Sequence, residues 1–137
     1  MTDAVSRPWI LIITHGRFGE ELLKSAELIL GKIKDAHCFS LLEGMTPEAL
    51  MEEVEAVLQA APKETLLFTD ILSGTPSNVA AVFAKRLGFT VICGVNLPML
   101  IEAEMSRGEK PTPLLAEDLV ATGRESMINI TKKANER

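Results

Sequence analysis

The 137-residue chain has no tyrosine, one tryptophan and five phenylalanines, too few rings for the stacking platforms that grip single-stranded nucleic acid. Positive charge is also scarce. Fourteen Lys and Arg stand against nineteen Asp and Glu, for a net charge of −5, the wrong sign for tracking a phosphate backbone. Such an acidic balance instead suits a basic protein partner. There are two cysteines, Cys38 and Cys93, with no CxxC or Cys/His spacing around them. Neither a zinc site nor a disulfide framework is indicated, and both read as small buried hydrophobes. No apolar run approaches the ~18 residues of a membrane span, and Met1 to Pro8 lacks the apolar core of a signal peptide, so the expected location is cytoplasmic. Three motifs are missing as well: GxGxxG after the first strand, the GxxxxGK run of a P-loop, and GxSxG. Their absence disfavours a nucleotide- or flavin-binding module and a serine hydrolase built on Ser73.

What is present is an alternation of short apolar runs and amphipathic stretches. Trp9 to Thr14 is almost continuously apolar and β-branched, the pattern of a strand covered on both faces. It stops at His15-Gly16. Glu20 to Ile33 reads as a helix, with Leu22, Leu23, Ala26, Ile29, Leu30 and Ile33 on one stripe. Ala36 to Leu42 is a weaker strand. Thr46-Pro47 supplies an N-cap and a first-turn proline for a helix that Pro62 ends. Thr65 to Thr69 is a third strand, closed by Asp70. Thr75-Pro76 repeats the cap-plus-proline signature and opens a helix running to Leu87, after which Thr90 to Val95 forms a fourth strand.

Four strands separated by helices of about 12 residues predict right-handed crossovers and a parallel sheet in a three-layer α/β domain. Residues 9–137 read as that single domain and residues 1–8 as a disordered or extended tail. Beyond the fourth strand, Met99 to Met105 and Leu114 to Glu125 read as helices, with Arg107 to Pro113 a polar loop between them. Ser126 to Thr131 alternates polar and apolar residues like an added edge strand.

Ligands of open α/β sheets bind beyond the carboxyl ends of the strands, where the strand order reverses. Two reactive side chains fall there, His15 after the first strand and Asp70 after the third. In the order 2-1-3-4 these strands are neighbours, about 4.8 Å apart. A carboxylate there can hold one imidazole nitrogen, fix the tautomer and leave the other nitrogen free to attack. Gly74 lets backbone approach a ligand and Thr75 offers a hydroxyl. The helix start at Thr75, Pro76, Ser77 and Asn78 favours an anion through its amides and dipole. Together these outline a phosphohistidine site. His37, in the weak second strand, reads as surface or half-buried, and Arg17 and Arg107 read as solvated.

Thr14-His15-Gly16, Asp70 to Asn78, Gly94 to Leu100 and Thr122 to Glu125 together resemble the mannose-family IIA domain of the bacterial phosphotransferase system, over about residues 9–131. The resemblance implies that His15 accepts a phosphoryl group on Nε2 from phospho-HPr. It would pass the group to a IIB component, for sugar uptake, or to a regulatory protein. Asp70 matches the family's carboxylate and Thr75 its hydroxyl residue beside the phosphoryl group. The resemblance also implies a homodimer exchanging a C-terminal antiparallel strand, here Ser126 to Thr131, and no metal or organic cofactor. A dihydroxyacetone-kinase-type phosphocarrier shares such a fold and histidine but fits the Gly74 to Asn78 loop less well. One departure stands out, since the family motif has two glycines where this chain has Ser73-Gly74.

Overall fold

Ten elements follow one another in the computed structural model, which describes residues 7–136. They are β1 (Ile10–His15), α1 (Phe18–Leu30), β2 (Ala36–Leu41), α2 (Pro47–Leu58), β3 (Leu66–Thr69), α3 (Thr75–Leu87), β4 (Thr90–Ile92), α4 (Leu97–Ser106), α5 (Thr112–Glu125) and α6 (Ile130–Ala134). The four strands form one sheet in the order β2-β1-β3-β4, and every pair is parallel. This is the predicted three-layer architecture with the predicted strand order.

The continuous apolar runs arise because the sheet is covered on both faces. Ile10 and Ile12 join Leu66, Phe68, Leu100 and Leu119 in one core, beneath α1, α4 and α5. Leu11 and Ile13 point the other way and join Leu50, Val54, Val79 and Phe83 beneath α2 and α3. Two-residue alternation within one strand thus feeds two cores, which is why Ile10 through Ile13 are all fully buried. Capping fixes where the helices begin. Thr46 Oγ1 accepts from the Ala49 amide at 3.1 Å, with Pro47 in the first turn of α2, as its sequence predicts.

Several boundaries differ from expectation. Helix α1 begins at Phe18 and ends at Leu30, where the Glu27 carboxylate takes the Ile33 amide at 3.0 Å and the chain turns. Ile33 remains buried, but Ile29 and Leu30 are exposed, so the packed stripe is shorter than its sequence pattern. Strand β4 is three residues long rather than six. Cys38 and Cys93 are both half-buried rather than buried, and both are free thiols. Ser126 to Thr131 forms no strand within the single chain: it runs from the end of α5 into the short helix α6. Strand exchange is a property of two chains, not of one.

The tail expected over residues 1–8 falls, for residues 1–6, outside the described residues. Arg7 and Pro8 are held. Arg7 Nη2 donates to the Glu104 carbonyl at 2.7 Å, and the Pro8 carbonyl accepts from Arg107 Nη1 at 2.9 Å. Arg107 corrects the sequence reading outright. It is 5% exposed rather than solvated, donates to the carbonyls of Pro8, Asp35 and Lys34, and pairs with Glu104 at 2.6 Å. Burial lowers its pKa, opposed by the Glu104 charge. It clamps the amino-terminal end of the sheet, the end opposite His15.

Candidate active site

His15 is the last residue of β1 and Asp70 the first residue after β3. The register pairs Ile13 with Thr69, so the two site residues emerge side by side. Asp70 Oδ2 accepts from the His15 backbone amide at 2.8 Å and lies 2.9 Å from His15 Nδ1. Asp70 Oδ1 accepts from the Ile71 amide at 3.0 Å. The carboxylate side chain is 12% exposed, whereas the histidine side chain is 45% exposed. Burial by itself would raise the Asp70 pKa. The hydrogen bonds from the amide and ring of His15 and from Ile71 outweigh it, and the carboxyl titrates below its ordinary range. An ionised carboxylate only accepts. In the neutral ring Nδ1 therefore carries the proton and Nε2 keeps its lone pair.

The turn that presents the ring is built by Thr14 and Gly16. Gly16 has φ +56°, a conformation that glycine takes without strain, and its amide donates to the Leu41 carbonyl at 2.9 Å. Buried Thr14 Oγ1 accepts from the Gly19 amide at 2.9 Å and donates to the Gly16 carbonyl at 3.3 Å. One hydroxyl thereby ties the end of β1 to the start of α1.

On the other side of the ring stands the start of α3. Gly74 is its N-cap, with φ +115°. A Cβ on Gly74 would lie 2.9 Å from His15 Cε1 and 3.1 Å from Nε2. Glycine is required twice over, by backbone conformation and by the nearness of the imidazole. The expected capping role of Thr75 is not observed: Thr75 is the first helical residue and its side chain makes no cap hydrogen bond. Its hydroxyl is left available to a ligand. The helix start is also narrower as a donor set than its sequence suggests. Pro76 has no N–H and the Asn78 amide is taken by the Gly74 carbonyl at 3.0 Å. Among the described residues, the Gly74, Thr75 and Ser77 amides are those of this turn without a protein acceptor. Ser73 is exposed, and its φ lies outside the positive range, so a side chain there is compatible with the loop.

Other candidates stand apart. His37 packs its ring on Trp9, with centroids 4.9 Å apart, in the half-buried position expected. Arg17 is exposed and pairs with Glu20 at 3.1 Å. The two later motifs prove to be a single clamp. Asn96 Oδ1 caps α4 by accepting from the Met99 amide at 3.0 Å, and its Nδ2 donates to the Gly123 carbonyl at 3.2 Å. A Cβ on Gly123 would come within 2.7 Å of Met99 Cε, so a larger residue there would displace the methionine methyl that packs on it. The same loop reaches the site, since the Gly94 amide donates to the Asp70 carbonyl and the Val95 amide to the Thr69 carbonyl, each at 3.1 Å.

The parallel sheet thus brings a carboxylate-held histidine to its reversal point, and comparison with known proteins gives the family. The family model described as PTS system fructose IIA component (EIIA-man) matches residues 9–120. The chain belongs to this family, the mannose-type IIA components of the phosphotransferase system. The mannose-specific EIIAB component of Escherichia coli (strain K12) is 35% identical over a 135-residue alignment that covers 93% of this chain and 41% of that protein. The chain thus spans about two-fifths of the length of that relative. The sorbose-specific EIIA component of Lacticaseibacillus casei is 27% identical, over 90% of this chain and 91% of its own. Among solved structures, a mannose/sorbose specific IIA subunit from Enterococcus faecalis superposes with a TM-score of 0.83 at 30% identity, covering 90% of this chain and 94% of its own.

Proposed function

We propose that the protein is a phosphohistidine carrier that takes a phosphoryl group onto His15 Nε2 from phospho-HPr. It yields the group to a IIB component for sugar uptake, or to a regulatory protein. The observation that carries this reading is the division of labour on one imidazole. Asp70 engages Nδ1 at 2.9 Å, while the Nε2 edge faces the start of α3 across Gly74.

In the loading step the donor's N–P bond breaks as the Nε2–P bond forms. Nδ1 keeps its proton, the ring gains positive charge, and the Asp70 carboxylate stabilises it. In the unloading step the Nε2–P bond breaks, the acceptor nitrogen takes the group, and the neutral ring returns. Phosphoryl transfer passes through a loose transition state, so positioning and electrostatics supply most of the catalysis. The Gly74, Thr75 and Ser77 amides and the Thr75 hydroxyl are neutral donors for the phosphoryl oxygens, helped by the helix dipole. They hold the group without cancelling its charge, which keeps it transferable. The scheme uses no metal or organic cofactor.

We infer also that two copies exchange their C-terminal segments. Strand β4 lies at a sheet edge, beside a groove of about 600 Å³ lined by Thr90, Ile92 and Met127 among others. Met127, Ile128 and Ile130 are exposed apolar residues that an edge would cover. A cytoplasmic site of action fits these partners; among the described residues no helix is long and apolar enough to cross a membrane.

Incubation with radiolabelled phospho-HPr tests the main reading. Wild type and His37→Ala should acquire an acid-labile label, and His15→Ala should acquire none while keeping its circular dichroism. Labelling of His15→Ala at the wild-type level would reject the assignment.

A further inference from the structure

We propose that Thr69 and Ser77 are positioning residues, whose hydroxyls form a one-way relay that sets the aim of Asp70. The inference rests on the reading of Asp70 as the partner of a phosphorylated His15. Both hydroxyls are buried, Thr69 completely and Ser77 at 9% exposure, where the end of β3 meets the first turn of α3. Thr69 Oγ1 and Ser77 Oγ are 2.7 Å apart, and Ser77 Oγ also bonds the Ile71 carbonyl.

Proton counting gives the relay its direction. A carbonyl can only accept, and a hydroxyl has one proton. Ser77 therefore donates to Ile71, and Thr69 must donate to Ser77. The relay runs from the side chain before Asp70, through α3, to the carbonyl after Asp70. On the opposite side, the Gly94 and Val95 amides hold the carbonyls of Asp70 and Thr69. The three residues beyond Asp70, namely Ile71, Leu72 and Ser73, are exposed and supply little packing to hold the loop. The carboxylate that aims the imidazole thus takes its own position from α3, the helix whose first-turn amides face the phosphoryl group. Donors and nucleophile are held in one frame.

A purely structural pair of hydroxyls would affect stability alone. Three variants separate the cases: Thr69→Val, which keeps shape but loses the donor; Ser77→Ala, which loses the relay; and Thr69→Ser, which restores the donor. Two readouts apply, the ¹⁵N tautomer signature of the His15 ring in unphosphorylated protein and the labelling rate with phospho-HPr. Wild type should show the Nδ1–H tautomer. Thr69→Val and Ser77→Ala should each mix the tautomers and slow labelling about tenfold, below the ~10²-fold that a 1 Å misplacement can cost. The double variant should be no slower than either single one, because both break one relay. Thr69→Ser should return both readouts to wild type. Should Thr69→Val not fold, Ser77→Ala and Thr69→Ser still decide the matter. Wild-type tautomer and rate in Ser77→Ala, or no recovery in Thr69→Ser, would overturn the relay. A wild-type ring without the Nδ1–H tautomer would instead overturn the underlying reading of Asp70, and the relay with it.

Discussion

Replacing Asp70 by Ala or Asn perturbs hydrogen bonds whose geometry is known, so the outcome can be sized. Asp70 Oδ2 accepts from both the amide and the ring of His15, but in the proposed function only the ring bond would strengthen as phosphorylation makes the imidazole positive. A hydrogen bond involving a charged group contributes about 1.5–3 kcal/mol, and each 1.36 kcal/mol of barrier is tenfold in rate. Asp70→Ala should therefore slow loading of His15 by about 10- to 150-fold. Asp70→Asn keeps the shape and a neutral hydrogen bond, and should fall between wild type and Asp70→Ala. Rapid-quench labelling with phospho-HPr measures both. Because the folded carboxyl titrates below its ordinary value, its contribution to stability is fully present above the unfolded pKa. It is lost as pH falls through the lower folded value. The stability gap between wild type and Asp70→Asn should accordingly be constant at neutral pH and close only in acid, as chemical denaturation at several pH values would report. Labelling rates within twofold of wild type for both variants would refute the reasoning.

Gly74→Ala places a methyl group against the His15 ring at an unfavourable φ. It should lose about 1–3 kcal/mol of stability together with most of its labelling, whereas Ser73→Gly should label at the wild-type rate. Denaturation curves and labelling of the pair check this. Arg107→Met leaves three carbonyls and Glu104 without their buried cation, and should cost about 3–5 kcal/mol. The protein that remains folded should label normally, and slower labelling per folded molecule would contradict a role confined to the far end of the sheet. Removal of residues 126–137 should shift the molecule from dimer to monomer in sedimentation, and an unchanged mass would reject strand exchange.

The fold was legible because its signals are local or periodic. Runs such as Ile10 to Ile13 announce strands covered on both faces, and Thr46-Pro47 marks a helix start wherever it lies in the chain. The 2-1-3-4 strand order is one that sets His15 beside Asp70, and the observed sheet has it; the sequence pattern alone allows other orders that also make β1 and β3 neighbours. Other features depend on groups distant in sequence. Arg107 sits between Ser106 and Gly108, in a polar stretch that suits a solvated loop, and its burial depends on carbonyls at residues 8, 34 and 35. The Ser77 hydroxyl was hidden by helix logic, which assigns first-turn residues to their amides. Thr75 misled in the opposite sense: a threonine before a proline is a good cap, but Gly74 reaches the capping position by a backbone conformation that a threonine would not adopt. The later segments that carried the family resemblance, Gly94 to Leu100 and Thr122 to Glu125, meet in the Asn96 clamp between α4 and α5.

A single carboxylate oxygen grips both the main chain and the ring of His15, and this makes the imidazole a fixed post, not a swinging arm. For the carrier proposed above, a side chain so anchored would leave the approach to the visiting surface, which would have to bring its own histidine up to the ring while the phosphoryl group alone changes hands. Hand-over would then depend on how closely two bodies seat, so a substitution at the rim that tilts a visitor by a fraction of an ångström would tell in the traffic between carriers while leaving the resting molecule untouched.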